Sequence, residues 1–364
     1  MTRLPDTTAV LALCRDAGFT LSGVAVAGPS QRADEQSQWL AEGLHGSMAW
    51  MEGHDAIRAD VREVLDGAVS VICVADRYAG GEVDADREGC GRIARYARGR
   101  DYHVHMKRRL HAVCDQLAAC SDGHRFRACV DTVPIHEREL AEAAGLGSIG
   151  KHTLLITPEA GSWVLLGCIV TTLPLEPTAE PESFGADPCG TCTRCIDACP
   201  TDAITPWSVD ARRCISALTI EHREPIDPAL QTSMGDWMFG CDICQEVCPH
   251  NQPTVRRDAT SIDSIYTDAV APGVHGRSED GSGFELERVL GWSTTDRQEA
   301  LQGSSMKRAK LDMFLRNAII VAGNTLSGEA FDRVRPMIEQ LAREDNARDM
   351  VREAAVDVLK RMTG

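Results

Sequence analysis

No apolar run in this 364-residue sequence approaches the roughly 18 residues that cross a bilayer. The longest, such as Val164–Val170, are strand-sized, which argues against a membrane protein. Positive charge is also short, with 38 Lys and Arg against 54 Asp and Glu and a net charge of −16. A general nucleic-acid binder should be basic, so that class is disfavoured. The first residues carry one cation, and the apolar segment Ala9–Cys14 runs straight into Arg15-Asp16. That pattern reads as a capped helix start, with Thr7 or Thr8 as N-cap, and not as a signal peptide. A cytoplasmic protein with reduced thiols is expected. Three reaction signatures are missing too: a serine nucleophile elbow, a His-Glu-x-x-His zinc site and an Asp-x-His-x-x-Gly cobalt-ligating segment. Asp101-Tyr-His103 begins the last of these, but Met106 stands where its glycine belongs.

What the chain does have is cysteine, fifteen in all. Seven are scattered (Cys14, Cys73, Cys90, Cys114, Cys120, Cys129, Cys168), in apolar surroundings that suggest core packing. The other eight are spaced. Cys189-x2-Cys192-x2-Cys195-x3-Cys199-Pro200 has the spacing of a bacterial ferredoxin run for a [4Fe–4S] cluster. Cys214 and Cys241-x2-Cys244-x3-Cys248-Pro249 follow. Three closely spaced cysteines wrap three corners of a cubane, and the one before proline points to the other cluster. Applied crosswise, one cluster takes Cys189, Cys192, Cys195 and Cys248, and the other takes Cys199, Cys214, Cys241 and Cys244. The plain alternative is a pair of four-cysteine zinc sites. Zinc ribbons usually show two separated pairs, whereas the Cys-Pro ending here occurs twice.

Around this module the pattern changes. Residues 1–175 read as an α/β domain, with strands expected at Leu21–Ala27, Val69–Ala75, Arg127–Val130, Leu154–Thr157 and Trp163–Thr171. Pro158-Glu-Ala-Gly161 between the last two is a hairpin signal. Helices are expected at Asp6–Ala17, Gln36–Met51, His105–Cys120 and Ile135–Ala144. Residues 176–255 hold the cluster module, and residues 256–364 a polar linker followed by helices near 305–322, 330–343 and 346–362. Gly145-Leu-Gly147-Ser-Ile-Gly150-Lys151 mimics a dinucleotide or phosphate loop, but a helix precedes it and a strand follows. That order is the reverse of what phosphate binding needs. Gly145 is more simply a helix C-cap.

Two further features carry chemistry. Arg92, Arg95, Arg98, Arg100, Lys107, Arg108 and Arg109 stand against Asp101 alone, a local charge of +6. The strip is either a solvated helix face or a surface for an anion or RNA. Lys307, Arg308, Lys310 and Arg316 against Asp312 form a smaller excess. Asp131 ends an expected strand in an apolar neighbourhood, where desolvation would raise its pKa and suit it to act as a general acid. A turn residue is the plain alternative.

Together the segments Arg95-Tyr-Ala-Arg-Gly-Arg-Asp-Tyr-His103, Asp131-Thr-Val-Pro-Ile-His-Glu-Arg138 and Ala144-Gly-Leu-Gly-Ser-Ile-Gly-Lys-His-Thr153 resemble the epoxyqueuosine reductases. Gly161-Ser-Trp163, Arg213–Ser216, Leu218–Glu221, Gly240–Pro249, Arg316-Asn317 and Gly323-Asn324 extend the resemblance over roughly 10–325. Ser148 stands where that family commonly carries Trp, and Cys168 where an acidic residue is common. The resemblance implies an oxidoreductase that reduces epoxyqueuosine to queuosine at the wobble position of tRNA. It implies cobalamin in the N-terminal domain without a protein ligand to cobalt, fed one electron at a time by two [4Fe–4S] clusters. By the same resemblance Asp131 would protonate the departing epoxide oxygen, and Arg58, Tyr102, Lys151, His152 and Thr153 would surround the cobalamin. HEAT-type helices and the basic strip would cradle the anticodon stem-loop. An external electron donor is required, and a monomer suffices. The competing readings are a corrinoid iron–sulfur reductive dehalogenase and a non-catalytic ferredoxin-type electron carrier.

Overall fold

The computed structural model describes residues 4–80, 84, 87–180, 184–252, 262–343 and 348–363. The stretch 256–261, the start of the expected linker, lies outside the described residues. Four strands form the main sheet: β1 (Leu21–Val26), β2 (Ser70–Arg77), β4 (Phe126–Cys129) and β7 (Val164–Thr171), in the order β1-β2-β7-β4. Every pairing is antiparallel. All eight residues of β2 are buried, which explains why Ser70-Val-Ile-Cys-Val-Ala shows no polar alternation: both faces of the strand are covered. Ile72 and Val74 face the helices Thr7–Asp16 and Tyr102–Cys120 through Val10, Cys14, Met106, Leu110 and Val113. Val71, Cys73 and Ala75 face the opposite way, towards Ala141, Ala144 and Leu146. Period two thus sorts one strand into two cores.

A second sheet joins distant segments. β3 (Cys90–Ile93) lies between β10 (Trp237–Phe239) and β11 (Gly283–Glu285). One strand therefore comes from each of the three sections of the sequence. The core beneath runs from Ile93 and Ala97 through Trp237 and Phe239 to the helices Leu311–Thr325, Gly328–Arg343 and Asp349–Thr363. Arg316, fully buried, fastens the first of these helices to the cluster module. Its guanidinium donates to the carbonyls of Leu218 at 2.7 Å, His222 at 2.7 Å and Glu224 at 2.9 Å. Asn317 donates to the carbonyls of Thr219 and Met238.

Several expectations move. The helix cap at the N-terminus is Asp6, whose carboxylate accepts from Ala9 N–H, and not a threonine. The long helix over 36–51 is cut to Ala33–Ala41 and a 3-10 turn at Ala49–His54, because Gly43 and Gly46 take left-handed φ between them. The turn across Pro158–Gly161 closes, with Thr157 and Gly161 exchanging backbone hydrogen bonds at 2.8 and 2.9 Å, but the ladder stops at that single bridge. β6 (Leu155–Ile156) pairs back with β5 (Ser148–Ile149), and β7 leaves to join the main sheet. Close packing at Gly147 permits that return, since a Cβ there would stand 2.2 Å from the Ile156 carbonyl oxygen. A last short ribbon pairs β8 (Ile204–Thr205) with β9 (Ser208–Val209). Of the seven scattered cysteines, five are buried, Cys90 is half-buried and Cys120 is exposed, so the last two do not pack a core.

Candidate active site

Beyond the end of β4 the chain turns sharply, and Asp131 takes a left-handed φ of 50°. That conformation strains a non-glycine residue and is kept only where surrounding bonds hold it. Its backbone N–H donates to Glu137 Oε1 at 2.8 Å, and its carboxylate lies 2.9 Å from His103 Nε2. His103 stands in the first turn of the helix that Asp101 caps. The other ring nitrogen, Nδ1, lies 2.8 Å from Asp101 Oδ1, and Lys307 Nζ reaches Asp101 Oδ2 at 3.3 Å. An imidazole between two carboxylates donates from both nitrogens, so it is the cation that fits. Burial alone would lower the His103 pKa, but the hydrogen bonds to Asp101 and Asp131 raise it to about 9. Tyr102 stacks on the imidazole with centroids 3.9 Å apart.

This geometry corrects the expectation for Asp131. Its side chain is 55% exposed, and the hydrogen bond from His103 holds its carboxyl below the usual range. The raised acid in the loop is its neighbour: burial, with the Asp131 charge adding to it, pushes Glu137 up to about 8. The proton therefore rests on the partners of Asp131 and not on Asp131 itself.

The other expected residues approach the same loop from two sides. Arg138 donates to the Thr153 carbonyl at 2.5 Å and to Thr153 Oγ1 at 3.2 Å, and Thr153 has a φ of 67°. His152 is buried with Nε2 unpartnered, and burial together with Arg138 and His250 lowers its pKa to about 4. His136 likewise has an unpartnered buried Nε2 and a pKa lowered to about 4, by burial first and then Arg58 and Arg138. Lys151 is placed elsewhere. Its ammonium donates to the carbonyls of Gly190 at 2.6 Å and Cys192 at 3.1 Å, and its N–H lies 3.4 Å from Cys189 Sγ. Gly150 lies in the same place: a Cβ there would crowd Ile156 Cδ1 at 2.6 Å and touch Cys189 Sγ at 3.4 Å. The glycine-rich segment thus seats the first cysteine of the cluster run and is no phosphate loop.

The eight spaced cysteines are expected in two crosswise sets, and the electrostatic neighbours among them run mostly within those sets. Burial raises each affected thiol, and the neighbouring thiols add to it: Cys189 and Cys248 act on Cys195, and Cys189 and Cys192 act on Cys248. In the other set Cys199 acts on Cys214, and Cys214 acts on both Cys241 and Cys244. Cys195 also acts on Cys244, so the sets adjoin. Among the described residues no three Cys, His, Asp or Glu side chains converge as a single metal ion would require. A family model described as a 4Fe-4S double cluster binding domain matches residues 188–251, which decides for clusters over zinc.

A second family model, "Epoxyqueuosine reductase QueG, DUF1730", matches residues 58–132. The epoxyqueuosine reductase of Xanthomonas campestris is 38% identical over 96% of this chain and 95% of that protein. The Gloeobacter violaceus enzyme is 41% identical over 86% of this chain and 95% of its own. The chain belongs to the epoxyqueuosine reductase family. A crystal structure of an epoxyqueuosine reductase with an epoxyqueuosine-modified tRNA-Tyr stem loop is similar in fold, with a TM-score of 0.82 and 26% identity. It covers 98% of this chain and 89% of that one. The Bacillus subtilis enzyme, solved with an aspartate-bearing catalytic loop swung out of the active site, gives a TM-score of 0.81 at 26% identity over 97% of this chain and 89% of that one.

In this member of the epoxyqueuosine reductases more than half of the basic strip is taken up by ion pairs, against the expectation of a free surface. Arg95 is buried and binds Asp242 at 3.3 Å and Glu246 at 2.8 Å. Arg92 and Arg98 bind Asp84, and Arg109 binds Asp76 at 2.6 Å. Only Arg100, Lys107 and Arg108 of the seven are exposed. The strip ties the α/β part to the Cys241–Cys248 loop, where buried Asp242 is raised to about 6 by burial despite Arg95. His103, Asp101 and Glu137 escaped the sequence reading as site residues. The available signal was an Asp cap followed two residues later by His.

Proposed function

We propose that this chain reduces epoxyqueuosine to queuosine at the wobble position of tRNA, the last step of queuosine synthesis. Opening the epoxide to an alkene takes up two electrons and two protons and releases water. In this reading residues 1–175 are the cobalamin-binding catalytic part, 176–255 the ferredoxin-like part, and 256–364 a linker with HEAT-like helices. Arg58, Tyr102, Asp131, His152 and Thr153 would hold cobalamin, with Lys151 acting through the loop of Cys189. The unpartnered buried nitrogens of His136 and His152 beside the Asp131 loop fit a bound group that brings its own polar atoms. Bound there, cobalamin would supply a reduced cobalt centre, and the two clusters would supply single electrons in turn.

The protein's own part is the proton. The observation that carries the reading is the chain Asp101–His103–Asp131 at the start of a helix, beside a loop bonded to Cys189. His103 passes its Nε2 proton to Asp131, and Asp131 gives it to the departing oxygen. Lys307 offsets the charge on Asp101, and Tyr102 fixes the plane of the imidazole. Among the described residues no helix is long and apolar enough to cross a membrane. In this reading the chain works as a cytoplasmic monomer served by an external electron donor.

Incubating the reduced, reconstituted protein with epoxyqueuosine-containing tRNA tests the reading. Nucleoside mass analysis should show loss of one oxygen from the modified base. Unchanged nucleosides with clusters demonstrably reduced would overturn it.

A further inference from the structure

Tryptophan is an expensive residue to leave in water, yet Trp50 is 46% exposed. It sits in the 3-10 turn Ala49–His54 that follows the two left-handed glycines. Two guanidinium groups flank its ring from parts of the chain far apart in sequence. Arg58 lies 5.6 Å from the ring centroid and Arg308 5.7 Å. Both distances fall within the range of cation–π attraction.

Neither arginine is loose. Arg58 is buried and donates at 3.5 Å to the Met51 carbonyl. Arg308 is gripped by both carboxylate oxygens of Glu221, at 2.5 and 3.1 Å. A guanidinium held in this two-pronged way has a fixed plane. Arg308 also lies within electrostatic reach of Asp131, as does Arg138. The indole is therefore one arginine away from the catalytic loop, on a rim that further carries exposed Lys307.

A half-exposed indole with cations over its ring suits a partner that is flat, aromatic and anionic at short intervals, which is the description of single-stranded nucleic acid. Stacking of a base on an aromatic ring tolerates any base identity, because every base has a π-face. We propose that Trp50 is the stacking platform for a nucleobase adjoining the modified nucleotide, with Arg308 and Lys307 taking the phosphates beside it. This rests on the tRNA reading of the site and assigns one side chain to hold the loop open while the modified base enters. It also moves the RNA contact from the strip 92–109, more than half of whose cations are held in ion pairs, to the cations around Trp50.

The test uses the reconstituted holoprotein and an anticodon stem-loop RNA. Trp50→Ala should weaken binding of a stem-loop with unmodified guanosine at the wobble position by about tenfold or more. Trp50→Phe should restore most of that affinity. For the epoxyqueuosine stem-loop, Trp50→Ala should raise KM by a similar factor while kcat stays near that of the parent. Replacing the flanking nucleotide with an abasic one should reproduce the loss in the parent protein and add little in Trp50→Ala. Equal RNA affinity in parent and Trp50→Ala, additive losses with the abasic RNA, or loss of bound corrinoid with RNA affinity kept would each overturn the proposal. Turnover by the parent protein is the control that separates these outcomes from failure of the reductase reading itself.

Discussion

His103 Nε2 lies 2.9 Å from Asp131 Oδ2, while its other nitrogen is held by Asp101 at 2.8 Å, so Asp131 shares a proton that it does not itself own. Replacing Asp131 with Asn keeps the shape and removes the transfer. Asp131→Asn should retain both clusters and corrinoid while turnover drops by about tenfold or more. Iron content and single-turnover rates on one preparation check this.

The same pair sets the pH response. The His103 pKa is raised to about 9, so its charged form is stabilising below the ordinary histidine range. That stability is lost as pH rises through about 9. The Asp131 pKa is lowered, so its contribution is present above the ordinary carboxylate pKa and is lost only in acid. Turnover should hold through neutrality and fall on an alkaline limb near pH 9. In His103→Gln the limb should shift by several pH units towards acid, as Asp131 must then be protonated unaided. An unshifted limb in the variant would refute the relay.

Arg95 is the partner that makes a buried Asp242 tolerable. Arg95→Met would leave that carboxylate without its cation between Cys241 and Cys244. Removing one partner of a buried pair costs about 3–5 kcal/mol. Iron should fall from roughly eight per chain towards four, since two cubanes become one. Full iron content in the variant would show that the pair is dispensable to the cluster.

Arg316→Ala should uncover the carbonyls of Leu218, His222 and Glu224. Hydrogen bonds to a charged group are worth about 1.5–3 kcal/mol each. Urea unfolding should show a midpoint loss corresponding to about 3 kcal/mol or more. Arg316→Lys should recover little, because a point charge cannot reach carbonyls arranged for a planar fork.

Gly147 offers no room for a methyl group, with the Ile156 oxygen 2.2 Å from where a Cβ would stand. Gly147→Ala should part β5 from β6 and displace the Lys151 bond to the Cys189 loop. Loss of the cluster's visible absorption ahead of global unfolding, in a thermal ramp, is the expected signature.

The parts that were legible in the sequence are local. The cysteine spacing announces a double iron–sulfur cluster module, and β2 is plain from five apolar residues in a row. The parts that were not legible depend on partners far along the chain. Arg95 reads as surface charge until Asp242, 147 residues away, is placed against it. Asp131 reads as a desolvated acid until His103 arrives from another helix. The expected 158–161 hairpin stops at one bridge, because its turn signal was sound but its strands had better neighbours. Charge and turn chemistry can be read along a chain, but pairing cannot.

The sheet β10-β3-β11 bears on how the molecule is made. β3 waits for a strand near residue 237 and another near residue 283 before it has any neighbour. Such long loops are slow to close, because their entropy is spent before the contacts form. During synthesis Cys241 therefore emerges before the helical core that it packs against in the folded chain.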